Sequence, residues 1–236
     1  MLGTDTTIQA WNEDGTKLLA HYSQDDMNNA PSEVYFSASA GHGNMIVIGS
    51  SVYALHFLYR RADQFNTIYE KIPDWECKHS GPVSVIVADD NYIVSGDELG
   101  AVCIWKEQSP EQWGVAHKFN SFGINATSIG KLTPSHLVAV GFGQGNIKVF
   151  NTDQCYMLYQ IGSHAKWLSA LAVRGTLLAT CGEDSTINVW NVTEDSATIV
   201  KSTVVPNTLL YGLMFVGNTL VTLSYDSDKL YVVNLN

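Results

Sequence analysis

Cysteine is scarce in this chain. Cys77, Cys103, Cys155 and Cys181 are widely separated and form no C-x-x-C pair, so neither a disulfide scaffold nor a zinc ribbon can be built from them. Basic residues are scarce as well, with 13 Lys and Arg against 23 Asp and Glu and a formal net charge of −10. Phosphate binding needs Lys and Arg to displace counterions, so neither nucleic acid nor an anionic membrane is an expected partner. A basic or neutral protein surface is electrostatically easier. No apolar run approaches the roughly 20 residues of a membrane-spanning helix, and no secretory signal pattern is read at the start. The triplets Asn125-Ala126-Thr127 and Asn191-Val192-Thr193 are therefore expected to be incidental rather than glycosylated. The cysteines are expected to be reduced, small apolar residues of a cytoplasmic protein, a ciliary location being compatible. The 7 histidines show no H-x-x-x-H or H-E-x-x-H spacing, so no metal site is expected, and no cofactor.

What the chain does have is a repeated hairpin. Leu177 to Asn191 reads as a short apolar strand, a tight polar turn carrying Asp184, and a second strand in which Ile187 and Val189 alternate with polar residues before Trp190. That is the pattern of a β-hairpin. Met45 to Leu58, Tyr92 to Trp105, Leu137 to Phe150 and Leu220 to Val233 lie on it without gaps. Their final large residues, at 58, 105, 150, 190 and 233, are separated by 47, 45, 40 and 43 residues. A period of about 40–45 residues with four short strands per unit is the signature of a propeller blade of the WD40 type. The expected fold is all-β, a propeller of four-stranded antiparallel blades.

Six units are readable, over about 1–25, 32–72, 81–119, 123–162, 165–204 and 207–236, with 21 strands in all. The first has two strands and the last three. Leu2 to Asn12 lies without a gap on Cys181 to Asn191, so the chain is expected to open inside a blade, with sequence missing upstream of Met1. No linker or low-complexity segment divides 1–236, which is expected to be a single domain.

These hairpins resemble the WD-repeat family along the whole chain. In that family a histidine at the start of a blade, a hydroxyl on its second strand, an aspartate in the turn and a tryptophan on the third strand form a buried hydrogen-bond relay. The resemblance implies that relay for His164, Thr180, Asp184 and Trp190. Trp11, Trp105 and Phe150 are the anchors of other blades. The unit ending at Trp105 offers His79 and Ser95, but Leu99 stands where Asp184 would be, so the fifth unit is expected to be the one with the full set. A narrower resemblance is carried by Phe122-Gly123, Ala139 to Gly145, His164-Ala165 and Cys181-Gly182-Glu183-Asp184. These are similar to one subfamily of seven-bladed WD-repeat propellers, regarded as binding modules with no assigned enzymatic activity. The similarity implies that one blade and half of another lie outside these 236 residues.

His164, Asp184 and Thr180 also describe the residue types of a Ser-His-Asp hydrolase. Thr180 falls inside a strand, however, and no glycine-rich nucleophile turn accompanies it, so no catalytic residue is expected. Gly141-Phe142-Gly143-Gln144-Gly145 could cradle phosphate only before a helix, and none follows; a hairpin turn is expected. Tyr225-Asp226-Ser227-Asp228 lacks the glycine and distal glutamate of a calcium loop. Lys166 and Trp167 follow His164 on the rim shared with the Asp184 turn, and Phe122 precedes the fourth unit at the equivalent rim. Trp167 is either a core residue or an exposed contact; the three are read as parts of a partner-binding face. The function expected is a non-catalytic protein–protein interaction scaffold. A propeller-fold hydrolase with a central-channel active site is one alternative. A structural subunit stable only within a larger assembly is the other.

Overall fold

A computed structural model describes residues 2–4, 6–23, 25, 34–61, 64–68, 79–134, 136–225 and 227–235. Asp5, Cys77, Asp226 and most of the expected polar connection over 23–31 lie outside them. The described residues hold 22 strands and no α-helix, in six antiparallel sheets whose strands follow chain order. Backbone contacts divide the chain into two units, Met1–Phe122 and Gly123–Asn236.

The first unit has three sheets. The first sheet is β1 (Leu2–Thr4), β2 (Thr7–Trp11) and β3 (Leu18–Ser23). The second is β4 (Phe36–His42), β5 (Met45–Ser50), β6 (Leu55–Arg61) and β7 (Gln64–Ile68). The third is β8 (Val83–Ala88), β9 (Ile93–Asp97), β10 (Val102–Ser109) and β11 (Gln112–Phe119). In the second unit the fourth sheet is β12 (Ala126–Lys131), β13 (Leu137–Phe142), β14 (Asn146–Asn151) and β15 (Tyr156–Gly162). The fifth is β16 (Leu168–Arg174), β17 (Leu177–Gly182), β18 (Thr186–Val192) and β19 (Ala197–Val204). The sixth is β20 (Leu210–Val216), β21 (Thr219–Ser224) and β22 (Leu230–Asn234).

The strand beyond the expected 21 is β1. It also departs from the gapless alignment: Cys181 pairs with Ile187, whereas Leu2, laid on Cys181, pairs with Gln9 instead of Ile8. A second departure is the length of β10. It continues past Trp105 to Ser109 and meets β11 through Pro110 and Glu111, with Glu111 at φ 64°, where a longer loop was expected.

The repeat is legible in the backbone itself. Tyr53, Gly100, Gly145 and Ser185 all have positive φ, at 67°, 83°, 85° and 65°. Each stands five residues before its hairpin's final large residue, Leu58, Trp105, Phe150 or Trp190. Each also donates its N–H to the carbonyl three residues earlier, on Ser50, Asp97, Phe142 and Gly182. Glycine accepts this left-handed geometry without a Cβ clash, while Tyr53 and Ser185 hold it against a steric cost. At the other end of three of these hairpins, at Trp105, Phe150 and Trp190, and likewise at Trp11 in the first sheet, pairing with the next strand slips by one residue, whereas at Leu58 it runs on in register. Such a bulge bends the strand and increases its twist.

Apolar residues are buried between neighbouring sheets. Ile8, Tyr22, Phe36, Ile48 and Leu58 pack the first against the second. Val47, Phe57, Val83, Ile86 and Trp105 join the second to the third. In the other unit Leu137, Val149, Leu168 and Leu178 join the fourth to the fifth, and Ile187, Val189, Leu210 and Leu220 the fifth to the sixth. Burying one such side chain contributes about 1.5–3 kcal/mol. Phe150 and Trp105 are wholly buried; Trp11 and Trp190 are half-buried.

Candidate functional site

The side chains that converge on chemistry-bearing geometry are the histidines at the starts of the third and fifth sheets. Before β16, His164 Nδ1 lies 3.0 Å from Asp184 Oδ1, and its Nε2 lies 2.9 Å from Thr180 Oγ1. A carboxylate only accepts, so Nδ1 carries the proton and Nε2 accepts from the hydroxyl. Trp190 does not reach Thr180. Its Nε1–H donates to Ser163 Oγ at 3.2 Å, and Ser163 Oγ lies 2.8 Å from Thr180 Oγ1. The relay therefore runs Trp190, Ser163, Thr180, His164, Asp184, with each donor feeding the next acceptor. Asp184 also accepts from Thr186 Oγ1 at 2.7 Å and from the Ala165 N–H at 2.8 Å. Burial pushes its carboxyl up, but the bonds from Thr186, His164 and Ala165 outweigh that and hold it below the usual carboxylate range.

The third sheet carries a second complete relay, which corrects the expectation that only the fifth had one. His79 Nδ1 lies 3.2 Å from Asp97 Oδ2, His79 Nε2 lies 2.7 Å from Ser95 Oγ, and Trp105 Nε1–H donates to Ser95 Oγ at 2.8 Å. The acid is Asp97, at the end of β9, and not the residue at the Leu99 position. Leu99 is 51% exposed, whereas the Asp97 and His79 side chains are wholly buried. Asp97 accepts four backbone N–H groups: Ser80 and Gly81 on Oδ2, Leu99 and Ala101 on Oδ1. Burial again raises its carboxyl, and the bonds from His79 and Ala101 more than reverse the rise. Asp97 and Ser163 are the residues that sequence reasoning missed. A carboxylate two residues earlier in the turn can still curl back to the histidine, and a gapless alignment cannot see that.

In both relays the geometry matches an acid, an imidazole and a hydroxyl in series, the order of a hydrolytic triad. Ser95 is wholly buried and already accepts the Trp105 N–H, so this hydroxyl is spent on the relay. Gly145 is a left-handed turn residue, as the hairpin reading expected, and a Cβ added to it would strike the His164 carbonyl. Gly143 lies under the Trp167 ring, where a Cβ would approach within 2.5 Å. The glycines of this stretch thus serve a turn and a close approach. The trio that could ligate a cation among the described residues is His42, Asp89 and Asp90, with ligand atoms within 4.8 Å of one another.

The residues read as partner-binding divide between the units. Trp167 is half-buried, Lys166 is exposed, and the Trp167 carbonyl accepts the Glu183 N–H at 2.9 Å. Phe122, in the first unit, is half-buried and stacks on Phe119 with centroids 6.4 Å apart and planes at 27°. Cys103 and Cys181 are buried free thiols, and burial pushes Cys181 up to about 12.

The WDR54 family model matches residues 1–226. The chain belongs to the WDR54 family of WD-repeat proteins. It is 22% identical to human WD repeat-containing protein 54 over 80% of its own length and 57% of the relative's. The mouse protein is 27% identical over 42% of this chain and 29% of its own. The chain therefore spans 29% to 57% of the length of these two curated relatives. A chicken p21-activated protein kinase-interacting protein 1-like sequence is 23% identical over 52% of this chain. Among solved structures, a chain of the mitotic checkpoint complex superposes with a TM-score of 0.75 at 15% identity, over 98% of this chain and 68% of that one. The computationally designed Ika8 protein gives 0.73 at 17%, over 98% and 78%. At such identities the likeness concerns the fold, which is that of the WD40-type β-propeller: all-β, with antiparallel four-stranded blades. WD-repeat proteins are in general interaction scaffolds rather than enzymes.

Proposed function

We propose that this chain is a non-catalytic module that docks a partner protein on the edge of its fifth sheet, at Lys166 and Trp167. The observation behind the reading is the way the relay fixes the backbone just before them. His164 is held through both ring nitrogens, and Asp184 takes the Ala165 N–H at 2.8 Å. Trp167 then lies with one part of its ring on Gly143 and the rest half-exposed, beside the exposed Lys166. An aromatic ring already held against the neighbouring fourth sheet gives up little rotamer freedom when a partner arrives, which is how preorganised anchors gain affinity. Phe122, stacked on Phe119, is a second anchor of the same kind on the first unit. Membership of a WD-repeat family supports a docking role in general. The hydroxyls beside His79 and His164 are engaged within their relays, which supports the non-catalytic side of the reading.

The test compares the parent chain with Trp167→Ala and Lys166→Glu in capture of partners from cell extract, quantified by mass spectrometry. Both variants are expected to retain the parent's melting temperature and to lose about tenfold of the captured proteins, the loss usual for a hot-spot side chain. Capture of the same proteins in the same amounts by both variants would defeat the reading.

A further inference from the structure

The sixth sheet is covered on one face and open to solvent on the other. Its register turns Leu213, Phe215 and Leu220 toward the fifth sheet. On the opposite face Met214, Val221 and Val232 stand abreast across β20, β21 and β22. Val216 lies to one side of that row, and the paired Leu223 and Leu230 lie to the other. No charged residue occupies a position on this face. Apart from half-buried Val221, these apolar residues are 40% to 68% exposed. The fifth sheet shows what such a face becomes when it is occupied. Its Ala179 and Val189, and its Cys181 and Ile187, are paired across β17 and β18 and are at most 2% exposed, because the sixth sheet lies on them. Beyond Leu223 and Leu230, Tyr211 stands at the bulge between Leu210 and Gly212 and meets Tyr225 edge to face, with centroids 5.9 Å apart. Both rings are exposed.

With the two tyrosines, the exposed area of this face is on the order of 800 Å². That exceeds the roughly 300–600 Å² of the largest apolar patch on a typical monomer, and it matches the share of about 800 Å² that one partner gives to a stable interface. No charge lies on the face to select a charged partner. What it asks for is a second apolar pleated surface, of the kind the fifth and sixth sheets already present to each other. A second copy of the chain brings such a surface, and a two-fold axis makes the patch complementary to itself. We propose that the open face of the sixth sheet joins two copies of this chain in an isologous dimer. The two faces interleave about 10 Å apart, as the sheets of a sandwich do. Obligate homodimer interfaces are apolar in this way and resemble a domain core cut in half. The net charge of −10 on each copy opposes association weakly, since salt screens exposed charges over about 8 Å at physiological strength. The inference concerns a different surface from Lys166 and Trp167 and does not depend on the docking reading.

The full chain is followed by light scattering and sedimentation equilibrium from about 1 to about 100 µM, because the mass of a dimer depends on protomer concentration. A particle of twice the chain mass is expected. Leu223 stands on the middle strand near the centre of the face, where a two-fold axis sets it close to its own copy. Leu223→Lys and Leu223→Glu should each raise the dissociation constant at least about 100-fold, since each carries an unpaired charge into an apolar interface. An equal mixture of the two variants should recover the double mass, which misfolded chains could not do. Ile199→Lys, at an exposed position on β19, should leave the dimer intact. Four results would overturn the proposal: a parent chain that stays monomeric at the highest concentration, a dimer that survives both Leu223 variants, a mixture that stays monomeric, or an equal loss with Ile199→Lys. Partner capture through Lys166 and Trp167 is read separately, so the two readings fail independently.

Discussion

Replacing Asp97 by Asn is the sharpest probe of how these blades are held. The carboxylate is wholly buried and accepts the N–H groups of Ser80 and Gly81 on Oδ2 and of Leu99 and Ala101 on Oδ1. An asparagine must put its NH₂ at one of those two positions. Either way two backbone donors face a third donor, and one of the two, Gly81 or Ala101, is buried. The buried backbone N–H and the asparagine's own buried NH₂ are each left unpaired at about 1–3 kcal/mol, and with the weakened bond to His79 the total comes to about 3–5 kcal/mol. Asp184→Asn should cost about 1 kcal/mol or less. Its amide can take the Oδ2 position, where the only listener is the exposed Ala165 N–H, which water can satisfy; Oδ1 stays an acceptor for His164 and Thr186. Leu99→Ala, at a half-exposed position, should stay within about 0.5 kcal/mol. Urea unfolding at pH 7, followed by fluorescence and checked by hydrogen exchange of the 93–105 segment, ranks the three. The reasoning fails if Asp184→Asn costs as much as Asp97→Asn, or if Leu99→Ala costs more than either.

Other consequences follow from burial. Trp105→Ala should cost about 3–5 kcal/mol, as loss of a large buried aromatic does, and Trp190→Ala less, because Trp190 is half-exposed and reaches its relay only through Ser163; equal melting temperatures for the two variants would count against this ordering. His56, set between Ser50 Oγ and the Tyr22 hydroxyl, is lowered by burial from 6.5 to about 4. The unfolded chain therefore takes a proton below pH 6.5 that the folded one refuses, and stability falls between pH 6.5 and 4 by about 3 kcal/mol. Asp97 and Asp184 are shifted downward instead, so what they contribute is present above the usual carboxylate range and is lost only below it. His56→Gln should flatten the upper window of a urea midpoint plotted against pH; an unchanged slope there would refute the assignment. With Cys181 pushed up to about 12 and Cys103 wholly buried, iodoacetamide at pH 8 should, among the three described cysteines, label the half-buried Cys155 first and reach Cys103 and Cys181 only after denaturant is added, as peptide mapping would report.

Much of the architecture was legible because it is periodic. The spacing of Leu58, Trp105, Phe150 and Trp190 located the hairpins, and the left-handed residue five places before each of them is the same regularity expressed in backbone angles. What escaped was whatever does not scale with the period. Strand β1 is too short to show an alternation, and β10 runs through polar Lys106 to Ser109, where only pairing with β11 keeps it extended. The type of relay was visible at His164, Thr180 and Asp184, yet Ser163 was not, because a serine beside a histidine has no pattern of its own.

Asp97 shows why chemistry is harder to read than fold. A strand's register fixes where a Cα stands to within one residue, but a carboxylate reaches a common target from more than one backbone position. From Asp184 the path runs through the turn; from Asp97 it runs back from the strand end, and both place an oxygen at 3.0 to 3.2 Å from a histidine Nδ1. The two routes are not equivalent in consequence. Asp97 draws four backbone N–H groups of the surrounding chain onto itself and is sealed from water. Asp184 leaves part of its carboxylate, and the Ala165-Lys166-Trp167 stretch beyond it, near the surface. The same relay is thus a closed staple in the third sheet. In the fifth it is a support for exposed side chains, and that difference, more than the presence of the motif, directs the search for a partner to Lys166 and Trp167.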